Sequence, residues 1–181
     1  MLARALLLVS ALSSPFVVLL AREKGMGGWD GLPLFLLAAG AASLLSSPFW
    51  GRFADRSSRL TMIVSGALAS AVALAAIATD AWIDGDTGGW ALVGLFFVLG
   101  VAHDGVRLGR KTYLVDLAGG NKRTDYVAVS NTAMGVLLLV TGAITGAVGT
   151  ASVPAALAVL AGMGLAGAWL CLRLPEVQQP G

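Results

Sequence analysis

The chain has 181 residues, of which 57% are hydrophobic and 12% charged, with a formal net charge of +2 and a mean hydropathy of +0.83. Soluble domains carry about 25% charged residues, so the composition excludes a water-soluble globule and indicates a membrane protein. The single cysteine, Cys171, excludes an intrachain disulfide and argues against a Cys-ligated metal.

Six apolar runs follow one another, over residues 2–21, 31–50, 60–79, 89–111, 126–150 and 153–173. Each is near the ~20 residues that cross a ~30 Å hydrocarbon core. Only helices satisfy every backbone polar group within such runs, so the expected fold is all-α, one polytopic domain of six transmembrane helices.

The first run, "MLARALLLVSALSSPF", starts like a signal peptide, with a basic residue and a short apolar core. Its apolar character continues to Ala21, and no A-x-A-like site precedes a soluble domain, so it reads as a span. Ser10 and Ser14 lie one turn apart there, and Pro15 can open the backbone ladder. These two serines are candidates to line a cavity, although serines also pack helices.

The second and third runs are joined by "GRFADRSSRL". Gly51 is expected to let a helix end approach its neighbour, Asp55 to sit at the positive dipole end of the third span, and Arg56 and Arg59 to reach head groups or helix C-termini. The next loop, "TDAWIDGDTGG", has three Asp and no base.

The fourth run is the unusual one. It takes His103, Asp104, Arg107, Arg110 and Lys111 into an otherwise apolar helix without a turn signal. At about 100° per residue, all five groups share one wedge of about 120°. Measured from Trp90 at ~1.5 Å per residue, Asp104 lies about 21 Å deep, Arg107 about 26 Å and Lys111 about 31 Å. Asp104 and Arg107 are therefore expected within the membrane, where a charge must face a partner or a wet cavity. Arg110 and Lys111 are expected at the interface as anchors. Two readings stand: the basic groups snorkel and Asp104 neutralises one of them, or the wedge lines a functional cavity, with His103 able to change protonation near neutral pH.

In the fifth run, "TGAITGAVG" places Gly142 and Gly146 on a small-xxx-small packing edge, and Asn131 can bond across helices.

Charge between the runs sets orientation. With the N-terminus inside, ten basic residues lie at cytoplasmic ends (Arg4, Arg52, Arg56, Arg59, Arg107, Arg110, Lys111, Lys122, Arg123, Arg173) against two outside (Arg22, Lys24). Both termini are expected in the cytoplasm of a bacterial cell, with the chain in its inner membrane. This asymmetry faces a lipid bilayer and does not point to nucleic acid.

The spacing G-x-x-x-D-R-x-x-R over Gly51, Asp55, Arg56 and Arg59 resembles the signature loop of the major facilitator superfamily of secondary transporters. That loop has the form G-x-x-x-D-R/K-x-G-R/K-R/K and falls between the second and third helices of each six-helix half. Ser58 stands where the family has Gly, and Leu60 where it has a second base. Such degenerate copies, together with the short tail "RLPEVQQPG", resemble a C-terminal half. The segment "LVDLAGGNKRTDYVAVSNTAMG" is similar to the superfamily's link between the fourth and fifth helices of a half.

The resemblance implies two inverted three-helix repeats and a small-molecule substrate carried by alternating access. It also implies binding or proton-coupling residues on the first and fourth helices, which here means Asp104, Arg107, His103, Ser10 and Ser14. A complete carrier of this kind has about twelve spans, so the expected partner is a second six-helix half or a second copy of the chain.

The alternatives are a non-transporting scaffold or fragment and a membrane enzyme. "DG" followed by bases brings to mind the D-G-x-x-A-R site of phosphatidyltransferases, but Leu108 and Gly109 replace its Ala and Arg, and only Asp116 follows in range. No cofactor or metal pattern and no catalytic motif is found.

Overall fold

The computed structural model describes residues 2–8, 10–27, 31–117 and 123–177. The described residues are helical with no strand, and six helical stretches are long and apolar enough to cross a membrane. The first span is assembled from α1 (Leu2–Leu7), α2 (Ser10–Ala21) and a π-helical turn, Arg22–Met26. The others are single helices: α3 (Gly31–Arg56), α4 (Ser58–Trp82), α5 (Gly85–Leu117), α6 (Arg123–Ala151) and α7 (Val153–Cys171).

The interruption in the first span precedes Pro15, which sits exposed within a continuous α2. Short-range bonds from Leu8 N–H to Ala5 O (3.1 Å) and from Ala11 N–H to Leu8 O (3.0 Å) mark the junction of α1 and α2. At the far end the π turn leaves helical geometry at Lys24 and Gly25, and Gly25 takes φ +99°, which side chains with a Cβ rarely adopt. Lys24 Nζ then donates to Asp80 O at 2.8 Å and Asp84 Oδ1 at 2.9 Å. The basic residue missing from the acidic loop thus comes from the first span.

Helices run further than hydropathy alone suggests. "GRFADR" is the last stretch of α3, and a single extended residue, Ser57, separates it from α4. Ser57 caps α4 by accepting from Leu60 N–H at 3.0 Å. Asp55, expected at that helix start, is instead exposed in the last turn of α3. The capping position goes to Ser57 because a cap residue must be extended, and Asp55 is helical. Ser152 caps α7 in the same way, with Pro154 in the first turn.

The interior forms where small residues let helices touch. α4 packs on α5 and α7, and α5 also meets α3 and α2. A Cβ on Gly105 would lie 2.6 Å from the Trp50 ring and 2.7 Å from Ser65 Cβ, and one on Gly109 would lie 3.1 Å from Met62 and Thr61 side chains. Trp50 Nε1 donates to Val101 O at 2.8 Å, fixing α3 to the same turn of α5. The edge expected at Gly142 and Gly146 is not such a contact: Gly146 faces open space, and Gly142 meets Leu12 only at an ordinary 3.7 Å. Gly51 likewise faces open space, so no close helix approach depends on it. α3 and α6 are the least buried spans and expose Leu36, Leu44, Leu139 and Ile144.

The segment after α7 folds back on the α3–α4 turn. Ser57 Oγ donates to Glu176 Oε2 at 2.7 Å, Arg59 Nη1 donates to Leu174 O at 2.9 Å, and Tyr113 OH donates to Pro175 O at 3.1 Å. The turn, the tail and the charged part of α5 thus share the basic end of the bundle, and Lys24 with its aspartates marks the acidic end.

Candidate functional site

The ionisable wedge of α5 divides between neighbours. Asp104 faces α3, where Ser43 Oγ donates to its Oδ2 at 2.7 Å and Ser46 Oγ at 3.3 Å. Arg107, one turn further along α5, donates from Nη2 to Oδ1 at 3.0 Å. The Asp104 side chain is 13% exposed and that of Arg107 56%. The carboxylate is therefore held from two helices, while the guanidinium keeps an open side.

His103 points the other way. Its Nδ1 shares a hydrogen bond of 3.2 Å with Ser10 Oγ at the start of α2. Ser14, one turn on, is half-buried and stands apart from the pair.

Arg110 and Lys111 separate. Lys111 is exposed, as an anchor would be, but Arg110 is buried, at 8% exposure, with Nη2 directed at Met134 Sδ of α6. The expectation of two interfacial anchors is corrected for Arg110, because at the edge of the wedge its side chain meets α6 before it meets solvent. Arg4 of α1, 5% exposed, reaches the same helix one turn away, where its Nη1 donates to Ser130 Oγ at 3.4 Å. Among the described residues the Nε of Arg4 and of Arg110 have no hydrogen-bond partner.

A cavity of about 580 Å³ opens toward the acidic end, walled by Val18, Arg22, Met26, Phe35 and Leu36, and includes none of these α5 groups. Asn131 is exposed on α6. Residues 118–122 of the link similar to the superfamily's fourth-to-fifth connection lie outside the described residues. Among the described residues no group of His, Cys, Asp and Glu could hold a metal ion.

The sequence model of the Major Facilitator Superfamily matches residues 5–181. The chain belongs to this superfamily. No curated protein and no solved structure matches it.

Superfamily members are transporters, and the six membrane-crossing helices make an integral membrane protein with the helix complement of one superfamily half. Within that half, the groups that sequence reasoning passed over are those supplied by other helices. Ser43 and Ser46 carried a usable signal, an i,i+3 polar pair in an apolar span. Glu176 carried none, because its partners lie 119 residues away at Ser57 and nearby at Arg59.

Proposed function

We propose that this superfamily half is one of the two bodies of a secondary carrier that moves a small solute by alternating access. The observation that carries this reading is the Asp104–Arg107 pair. A part-buried carboxylate is held by two serines of a neighbouring helix, while its arginine remains more than half exposed inside an apolar span. Charge at that depth is costly against lipid, so Arg107 calls for a polar surface opposite it. The poorly buried α3 and α6 call for an apolar one. A second six-helix half, or a second copy of the chain, supplies both.

In this arrangement Asp104 and Arg107 bind substrate or exchange a coupling proton, and His103 with Ser10 forms the neighbouring wall. The basic end faces the cytoplasm of a bacterial cell, by the asymmetry of Lys and Arg. The chain as a whole resembles a C-terminal half.

Proteoliposomes test the reading. Uptake of a panel of labelled solutes is measured for the chain alone, for its dimer, and for the chain co-reconstituted with a candidate partner half. Flux is expected only from paired halves, and Asp104→Asn or Arg107→Gln should abolish it while leaving the protein folded. Flux from the monomer, or full flux in both variants, would refute the proposal.

A further inference from the structure

Arg4 and Arg110 are left unexplained by transport through the Asp104 pair. They come from α1 and α5, yet both are more than nine-tenths buried at the basic end of the bundle. They reach residues one turn apart on α6, Ser130 and Met134, and neither guanidinium gives up its proton in a protein. The polar contacts they make are neutral, a serine hydroxyl at 3.4 Å for Arg4 and the Met134 thioether for Arg110. Both Nε–H groups lack an acceptor among the described residues. The ion pairs among the described residues involve Lys24, Arg59 and Arg107, and neither of these two.

Two neighbouring buried cations with no counter-charge among the described side chains are a costly arrangement, and an anion resolves it. A guanidinium fork matches the oxygens of a phosphate group. Charge selects the same ligand: a phosphate monoester carries about −1.5 to −2 at neutral pH, enough to balance two arginines, whereas one carboxylate leaves a positive charge over. Ser130, fully buried beside Arg4, adds a hydroxyl. The cover is α6, which packs mainly on α7 and little on α1 or α5, so it can shift without unseating the rest of the bundle.

We propose that Arg4 and Arg110 form a binding site for a phosphate group, covered by α6. The site does not depend on the transport reading. The phosphate belongs to a soluble phosphate compound or to an anionic lipid head group, and the two sources separate experimentally.

The full chain is purified in neutral detergent and its thermal unfolding followed with inorganic phosphate against chloride at equal ionic strength. A parallel series uses nanodiscs of phosphatidylcholine with or without phosphatidic acid. Phosphate is expected to raise Tm saturably, with binding roughly tenfold or more weaker in Arg4→Gln and Arg110→Gln. Lys111→Gln, exposed one residue away, should keep the wild-type response. Arg110→Met separates ligand binding from packing: without phosphate it should unfold at a higher temperature than wild type, and phosphate should no longer shift it. Should Arg4→Gln fail to fold, Arg4→Lys and Arg110→Met carry the same comparison.

A response to inorganic phosphate supports the site and assigns a soluble ligand, and a response only to phosphatidic acid supports it and assigns a lipid. The proposal is overturned if wild type responds to neither, or if Arg110→Met responds as wild type does. It is also overturned if Asp125→Asn lowers Tm in wild type but not in Arg110→Met, since the acid on α6 would then be the counter-ion.

Discussion

Two clusters of charge lie about two helical turns apart on α5, and they are built on opposite terms. Around Asp104 every charge is answered: two serines and Arg107 converge on one carboxylate, and the cluster is electrically neutral. Around Arg110 no acid among the described side chains answers the charge: Arg4 adds a second cation, and the α6 groups these two arginines meet are a hydroxyl and a thioether. The difference shows that burial alone does not measure how settled an ionisable group is. Arg107 is the more exposed arginine and is paired, whereas Arg110 is buried and has no ion pair among the described residues.

Substitutions can break or sharpen this contrast. Gly105→Leu should break both clusters together, since it forces α5 away from Trp50 and Ser65; a loss of at least ~3 kcal/mol, or no monodisperse protein, is expected in size-exclusion and thermal assays. Asp104→Ala should lower stability by about 2 kcal/mol, because it strands two serine hydroxyls and a guanidinium. Arg110→Met should move the other way in phosphate-free buffer, with a gain of about 1–2 kcal/mol. Opposite signs for these last two, measured as Tm under identical conditions, are the sharpest statement of the difference; equal signs would remove it. Smallest is Ser57→Ala, expected to cost about 1 kcal/mol through loss of the α4 cap and the tie to Glu176.

How much of this could be read from the sequence follows from where each partner lies. Asp104 and Arg107 share a face by helical spacing alone, and their ion pair needs no knowledge of the fold. Arg110 lies at the edge of the same wedge, and whether it meets lipid, water or α6 depends on a helix that starts at Arg123. The signature spacing over residues 51–59 identified the family, yet it also directed attention to Asp55 and away from Ser57, whose extended backbone makes it the cap. Gly105 and Gly109 were visible as a small-xxx-small pair in "AHDGVRLGRK", but the charges beside them were the stronger signal. The pair that was singled out, Gly142 and Gly146, lies on α6, where no helix approaches Gly146.

The tail that folds onto the α3–α4 turn also sets an order in time. Ser57 is bonded to Glu176, 119 residues later in the chain. During synthesis α4 enters the membrane with its cap formed only by local bonds, and the outer tie on that cap is made only once α7 and the residues after it have left the ribosome. One tie on the turn bearing the family signature thus waits for residues far along the chain. A chain halted before Glu176 would contain the six described spans and still lack the Ser57 tie.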